Sequence, residues 1–329
     1  MKAITQQRYG SAEVLEYTDV PRPVPKKGEV LVRVRAAGVD RGVWHLMTGV
    51  PYVVRPAIGL RAPREKVPGR DLAGVVAAVG AGVTRFEEGD EVFGIGAGAY
   101  AEYARAREGK LVHKPAGVDF GAAAATPFGG LTALQAIRDI GGIGAAGGAG
   151  RRVLVIGAGG GVGTAAVALA AAYGAHVTGV CSGGKADLVR SLGAAEIVDH
   201  TLQDLDTSGH GPRYDLVLDI AGNRPLGRLR RLLTPRGTLV IVGGEDGGRW
   251  FGGLGRTFLA PVRSLFTRQR LCMMVASENH RDLATLADLL ADGTLRPPLE
   301  EALPLADAAK ALHRLETGRV RGKLVLTVD

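Results

Sequence analysis

Between residues 153 and 170 the chain reads VLVIGAGGGVGTAAVALA. Four apolar residues run into glycines at 157, 159, 160, 161 and 163, and the chain then turns small and apolar at helical spacing. A strand, a bare turn and a helix in that order restrict the fold sharply. The first N–H groups of a helix are unpaired and its macrodipole adds positive potential, so a phosphate binds there without a basic side chain. Glycines permit the tight turn, let a pyrophosphate approach the main chain and let the helix pack on the strand. Two registers of the G-x-G-x-x-G template compete. With glycines at 157 and 159 the last place falls on Val162; with Gly160 in the middle and Gly163 last, Ala158 comes first. The second is preferred because Gly163 opens the helix Thr164 to Ala172. A glycine-rich turn with no ligand is the alternative.

The surrounding pattern has two characters. In GEVLVRVRAAG (28 to 38), Val30, Val32 and Val34 alternate with Leu31, Arg33 and Arg35, the two-residue period of a half-buried strand, and DLAGVVAAVG (71 to 80) and GDEVFG (89 to 94) continue an all-β stretch. From about residue 117 helices take over: Asp119 is an expected N-cap, Pro127 breaks an Ala-rich helix, and a second helix is expected from near Gly130. GGIGAAGGAGRR (141 to 152) reads as a surface link. Apolar strands at 153 to 156, 176 to 180, 215 to 219 and 238 to 242 are separated by helical segments, which predicts a parallel sheet covered on both faces. Segment 244 to 270 carries Trp250, Phe251, Leu254, Phe258, Leu259, Val262, Leu265 and Phe266 among arginines and reads as an amphipathic helix: a plain sheet cover, a substrate lid or a dimer contact. A helix stopped by Gly293, a second from Asp307 to about Glu316 and the strand KLVLTV close the chain.

Length and charge narrow the function classes. The 329 residues suit two domains, and Cys181 and Cys272 are too few and too far apart for a disulfide framework or a cysteine-rich zinc module, which fits a reducing, cytoplasmic setting. No apolar run reaches the roughly 18 to 20 residues of a membrane span. The net charge of +8 is spread through the chain with acids interleaved, so no nucleic-acid partner is expected; a small-molecule substrate is.

The next strand bears on the dinucleotide. NAD sites place an Asp or Glu about twenty residues beyond the glycines, on the ribose 2′-hydroxyl. HVTGVCSGGKADLVR supplies no acid at the strand end; it supplies Ser182 and Lys185. A hydroxyl and an ammonium suit a 2′-phosphate, which favours NADPH, unless Lys185 is an ordinary surface lysine.

With these residues in hand the chain resembles the medium-chain dehydrogenase/reductase superfamily, closest to its zinc-independent quinone oxidoreductase (zeta-crystallin-like) branch. The likeness runs through AAGVDRGVWHLMTG near residue 40, VPGRDLAGVVAAVGAGVTRFEEGDEVFG (67 to 94), GGLTALQAI (129 to 137), the A-x-G-x-x-G turn, SLGAAEIVDH (191 to 200) and GRVRGKLVLTV at the end. It implies an α/β protein: a Rossmann doubly wound parallel sheet over 123–262, and a GroES-like β-rich catalytic domain made of 1–122 and 263–329, with the substrate cleft between them. A homodimer is expected by the same resemblance. Zinc alcohol dehydrogenases of the superfamily carry a cysteine where this chain has Asp40 and a His-Glu pair where it has Arg70 and Asp71; catalytic zinc needs three protein ligands, arginine is not one, and the four-cysteine lobe of structural zinc is missing. Among His45, His113, His176, His200, His210, His280 and His313 no two share a close ligand spacing, and no metal is expected. Without a Lewis acid, the fitting acceptor is a quinone or an α,β-unsaturated carbonyl compound, where hydride adds to carbon while charge collects on oxygen.

The motifs also nominate residues. Thr132 matches a threonine that contacts the nicotinamide in the family, or is a hydroxyl bonded to its own helical turn. Gly160, Gly161, Val162 and Gly163 line the pyrophosphate; Ala221, Gly222, Val242, Gly243 and Gly244 follow strands whose C-terminal ends bind ligands in open α/β sheets. His200 stands near a family tyrosine that touches the 2′-phosphate, and Lys323 approaches the cofactor phosphate or is plain surface. Asp40 aligns with a cleft asparagine and holds water, orients Arg41 or caps a turn; Trp44, Tyr52 and Met273 are cleft walls or core. No essential general acid is expected. The main reading is a zinc-independent NADPH-dependent reductase of quinones or enones. Alternatives are a zinc-free alcohol dehydrogenase, an enoyl-type tailoring reductase and a non-catalytic NADPH sensor.

Overall fold

Period-two patterning governs the first third of the chain. The computed structural model describes residues 1–144, 147–205, 211–222, 224–244 and 248–329, with Leu254 described by its backbone alone. It gives strands β1 (Lys2–Gln6), β2 (Leu15–Asp19) and β3 (Glu29–Val39), helices α1 (Arg41–Thr48) and α2 (Arg55–Ile58), and strands β4 (Asp71–Val79), β5 (Glu91–Ile95), β6 (Tyr103–Arg107) and β7 (Leu111–His113). Val30, Val32 and Val34 are buried and Arg33 is exposed, as the alternation predicts, but Leu31, on the face of Arg33, is buried as well, so the strand is covered on both faces at that position. Helices α3 (Phe120–Ala125) and α4 (Pro127–Gln135) follow. Asp119 caps α3, its carboxylate accepting from Ala122 N at 2.8 Å. The second helix begins at Pro127, ahead of the expected Gly130, because a proline at the first helical position needs no N–H partner.

The middle of the chain alternates strand and helix: β8 (Arg152–Ile156), α5 (Gly161–Ala172), β9 (His176–Cys181), α6 (Ala186–Ser191), β10 (Glu196–Asp199), β11 (Tyr214–Asp219), α7 (Leu226–Arg231), β12 (Leu233–Ile241), α8 (Leu254–Ser264) and β13 (Arg270–Met273). All pairs in this sheet are parallel, and the order is β10-β9-β8-β11-β12-β13. The order reverses between β8 and β11, which is where an open α/β sheet leaves a crevice at its carboxyl edge. Its core packs Leu154, Ile156, Val217, Leu239 and Ile241 from the strands with Leu226, Leu229 and Ala260 from the helices.

The chain ends with α9 (His280–Ala291), β14 (Leu299–Pro304), α10 (Ala308–Glu316) and β15 (Lys323–Thr327). Strand β15 pairs antiparallel with β3 in a seven-stranded sheet of order β14-β15-β3-β4-β5-β7, with β6 also on β3. Both chain ends therefore share one core, in which Ile4, Val32, Leu72, Leu312 and Leu326 are buried.

Two units result: 1–131 with 278–329, and 132–277. The sequence reading put the boundaries at 122/123 and 262/263. The first moves because α3 packs on β3, β4 and β15 of the β-rich unit; the second because β13 pairs with β12 and so belongs to the parallel sheet. Residues 145–146 of the glycine-rich link and 245–247 of the 244 to 270 segment lie outside the described residues, as does His210.

Candidate active site

The glycine turn is built from Gly157, Gly160 and Gly163, of which the preferred register uses the last two. Gly157 ends β8 with φ +91°, a conformation that disfavours any side chain. The preferred register set Ala158 first and passed over it; the turn-forming place belongs to Gly157. Gly160 is the N-cap residue of α5, which starts at Gly161, three residues before the expected Thr164. Gly163 lets the helix close on the turn: a β-carbon there would stand 2.1 Å from Gly157 O. The first intrahelical bond runs from Thr164 N to Gly160 O at 2.8 Å, so the N–H groups of Gly161, Val162 and Gly163 have no partner inside the helix. Such a turn fits a pyrophosphate.

A second corner forms at the ends of β9 and β10. Lys185 lies in the short turn after Ser182, its N–H donating to Ser182 O at 2.9 Å, and its aliphatic stem runs across Gly159. His200 is exposed and donates its N–H to Cys181 O at 3.2 Å, so Ser182, Lys185 and His200 do come together. The end of β9 carries no acid of its own, but the neighbouring strand brings one, Asp199 standing opposite Cys181. Asp199 Oδ1 accepts from Thr201 Oγ1 at 2.7 Å and Thr201 N at 2.9 Å, and Oδ2 faces Gly183. The bond from the Thr201 hydroxyl, with those from the Thr201 and Gly183 amides, holds its carboxyl below the usual range.

A third group gathers at the ends of β11 and β12. Ala221 N approaches Gly157, Gly222 (φ +73°) donates to Asp219 Oδ1 at 3.2 Å, and Val242 and Gly243 both donate to Asp219 O, at 3.0 and 3.3 Å. Gly244 accepts from Gly253 N at 2.8 Å. The organising residue, Asp219, was not singled out in the sequence; it is fully buried and paired with Arg256 from α8. An acid at the end of the otherwise apolar run LVLD was the signal for it. Thr132 is 4% exposed on α4, three residues before Gln135, whose side chain exchanges two 2.8 Å bonds with the main chain of Ser277.

The β-rich unit holds a buried acidic pair. Asp40 caps α1, Oδ1 accepting from Val43 N at 3.0 Å, while the buried Oδ2 has no hydrogen-bond partner among the described residues. The same holds for the indole Nε1 of Trp44, whose ring is covered by the Arg41 guanidinium at 4.3 Å. Tyr52 is likewise covered by Arg55, at 4.3 Å, so neither ring is the bare apolar wall the sequence suggested. Met273 is half-buried on β13. Asp71 is fully buried and accepts from Phe128 N with both oxygens, at 3.2 Å. Burial pushes its carboxyl up to about 7; Lys323 pulls it down and Asp40 adds to the rise. Lys323 is 5% exposed by its side chain, with Nζ 3.7 Å from Asp71 Oδ2. Of the two expected roles, its burial excludes the plain surface one: an ammonium so buried needs a carboxylate beside it. Arg70 makes a two-pronged bond to Glu278 at 2.7 and 2.9 Å, and Lys110 joins the same carboxylate at 2.6 Å. Among the described residues no three His, Cys, Asp or Glu side chains group to hold a metal.

Two family models match the chain. One described as a zinc-binding dehydrogenase covers residues 192–326, and one described as an alcohol dehydrogenase GroES-like domain covers 26–116. The chloroplast envelope quinone oxidoreductase homolog of Arabidopsis thaliana is 31% identical over 334 residues, 99% of this chain and 98% of that protein. Among solved structures, the quinone oxidoreductase from Coxiella burnetii matches with a TM-score of 0.87 at 28% identity, over 100% of this chain and 99% of that one. A mycobacterial protein complexed with NADPH matches with a TM-score of 0.83 at 26% identity, over 100% of both chains.

Proposed function

The chain belongs to the medium-chain dehydrogenase/reductase superfamily, in its quinone oxidoreductase branch, and we propose that it uses NADPH to reduce a quinone or an α,β-unsaturated carbonyl compound without zinc. The observation that carries the cofactor reading is the stem of Lys185 lying on Gly159 of the phosphate turn, which keeps an ammonium at the 2′-phosphate corner. The main-chain N–H groups of Gly161, Val162 and Gly163 would hold the pyrophosphate, and Lys185, Ser182 and His200 the 2′-phosphate. Ala221, Gly222, Val242 and Gly243 offer a bare main-chain surface to the rest of the cofactor. The mycobacterial complex with NADPH supports this reading.

When bound, the reduced nicotinamide supplies hydride. The chain itself has to orient the acceptor and meet the charge that collects on its oxygen. In the β-rich unit, Trp44 Nε1 is a buried donor and Asp40 Oδ2 a buried acceptor without protein partners among the described residues. We assign the indole N–H to the acceptor oxygen and the Asp40 carboxylate to a water that completes the protonation. Thr132 is assigned to the nicotinamide end.

The name of the first family model refers to zinc, but the donor set here is poor. Arg70 cannot ligate a metal and is engaged by Glu278, and the neighbouring Asp71 faces an ammonium. The test is NADPH oxidation with a quinone, an enone and the corresponding saturated ketone, with and without a chelator, alongside metal analysis. Turnover of the first two, none of the third, no stoichiometric zinc and no chelator effect are expected. Chelator-sensitive turnover of the saturated ketone would assign a zinc alcohol dehydrogenase instead.

A further inference from the structure

Two buried acids and one buried ammonium gather where β15, β3 and β4 run side by side. Leu324 pairs with Val39, so Lys323 and Asp40, one residue further along each strand, come next in the same antiparallel ladder. On the other side of β3, Leu72 pairs with Ala37, so Asp71 and Gly38 come next. Gly38 makes room for the acid, since a β-carbon there would stand 2.9 Å from Asp71 Cβ. Asp71 is fully buried, and Lys323 and Asp40 are only 4% and 7% exposed. Counted as ordinary ions, the three leave one negative charge uncompensated and out of water. Neither acid is well solvated as an anion by the described residues. Asp71 divides the Phe128 N–H between its oxygens at 3.2 Å, with Lys323 Nζ 3.7 Å away, and Asp40 Oδ2 has no hydrogen-bond partner. Arg70, the next cation beside Asp71, is committed to Glu278, which Lys110 also binds. Tyr100, fully buried beside both acids, donates to Gly38 O at 3.2 Å. Two carboxyls with one cation in such a place cannot both ionise freely, so the group keeps one proton between them, in keeping with the raised value of Asp71.

That proton has a use. Once hydride has added to the acceptor, the charge on its oxygen has to be cancelled by one proton. We propose that Asp40, Lys323 and Asp71 form a one-proton store, from which Asp71, acting through Asp40, supplies the proton that completes the reduction. The hydride brings both electrons, so none passes through the store. A carboxyl O–H bond breaks, and an O–H bond forms on the acceptor oxygen by way of the water assigned to Asp40. The store is then left with one negative charge and takes a proton back from solvent. Asp71 is thus a positioning residue for that proton rather than a group in contact with the acceptor. The inference rests on the reductase reading of the site.

The experiment has two readouts. In the full chain with isotope-labelled aspartate carboxyls and no dinucleotide, carbon NMR is expected to show one carboxyl that titrates above about pH 6, far from the ordinary aspartate value of about 3.9. Its signal is absent from Asp71→Asn and moves to lower pH in Asp40→Asn, which removes a neighbouring negative charge. In steady-state reduction of a quinone and of an enone by NADPH, wild-type kcat is expected to fall above about pH 7, where the store empties. Asp71→Asn lowers kcat by about tenfold or more below that pH, keeps the KM for NADPH, and leaves a residual rate that no longer falls with pH. An acid that merely holds the start of α4 would lower kcat by the same factor at every pH. Should Asp71→Asn fail to fold, the wild-type protein decides: no aspartate titrating above about pH 6, or a kcat level to about pH 9, overturns the proposal. Turnover whose pH profile Asp71→Asn leaves intact overturns the store and keeps the reductase reading. No NADPH oxidation with any quinone or enone overturns both.

Discussion

The side chain of Lys185 lies so close on Gly159 that a β-carbon at residue 159 would come within 2.6 Å of its Cδ. The packing holds the stem of Lys185 on the turn, and Asp199 brings a carboxylate to the same corner, its Oδ2 against Gly183 of the short turn that ends at Lys185. Lys185→Ala is expected to raise the dissociation constant for NADPH by about tenfold or more while leaving NADH nearly unchanged, because it removes one charge-assisted bond to a 2′-phosphate. Asp199→Asn should move the ratio the other way by removing a repelling charge. Fluorescence titration with both dinucleotides checks the pair; equal losses for NADPH and NADH in Lys185→Ala would end the assignment.

Gly163 has no such tolerance, because its neighbour is main chain. With Gly157 O only 2.1 Å from the added β-carbon, Gly163→Ala must push α5 off the turn, at a cost of about 1–3 kcal/mol. Both dinucleotides should then weaken together. A denaturant titration reads the stability loss, and an unchanged midpoint with unchanged binding would contradict the close packing.

The buried carboxyl of Asp71 gives stability a pH dependence of unusual sign. Its folded value of about 7 lies above the ordinary 3.8, so over that interval the folded chain keeps a proton that the unfolded chain has released. Its contribution is fully present below about pH 4, declines as pH rises, and is gone above about pH 7. Asp19, Glu196, Asp204 and Asp292, all held below their usual range by hydrogen bonds, act in the window below about pH 4 and in the opposite sense. Asp71→Asn is therefore expected to flatten the decline between pH 4 and 7 and leave the acid limb alone, as read from urea midpoints against pH. An unchanged slope would mean the carboxyl titrates normally.

The sequence was most legible where burial is two-sided. VLVI, YDLVLD and LVI are apolar on both faces because helices cover the parallel sheet, so β8, β11 and β12 stood out at once. The four-residue strands β10 and β13 did not, since both run along sheet edges and are only partly buried. The same edge explains the missed Asp199: counting along the chain from the glycines ends at β9, whereas the sheet supplies its acid sideways from β10. Gly157 was passed over because spacing templates carry no φ angle. The partner of Lys323 was not legible because Asp71 is 252 positions away in the chain (323 less 71) and meets it only through the pairing of β15 with β3 and β3 with β4.

The central claim is that bare main chain after β8, with Lys185 beside it, receives NADPH. Calorimetric titration of the full chain with NADPH and then NADH tests it most directly. Saturable one-site binding of NADPH, about tenfold or more tighter than NADH, is the predicted result; no heat from either dinucleotide, or a preference for NADH, would contradict it.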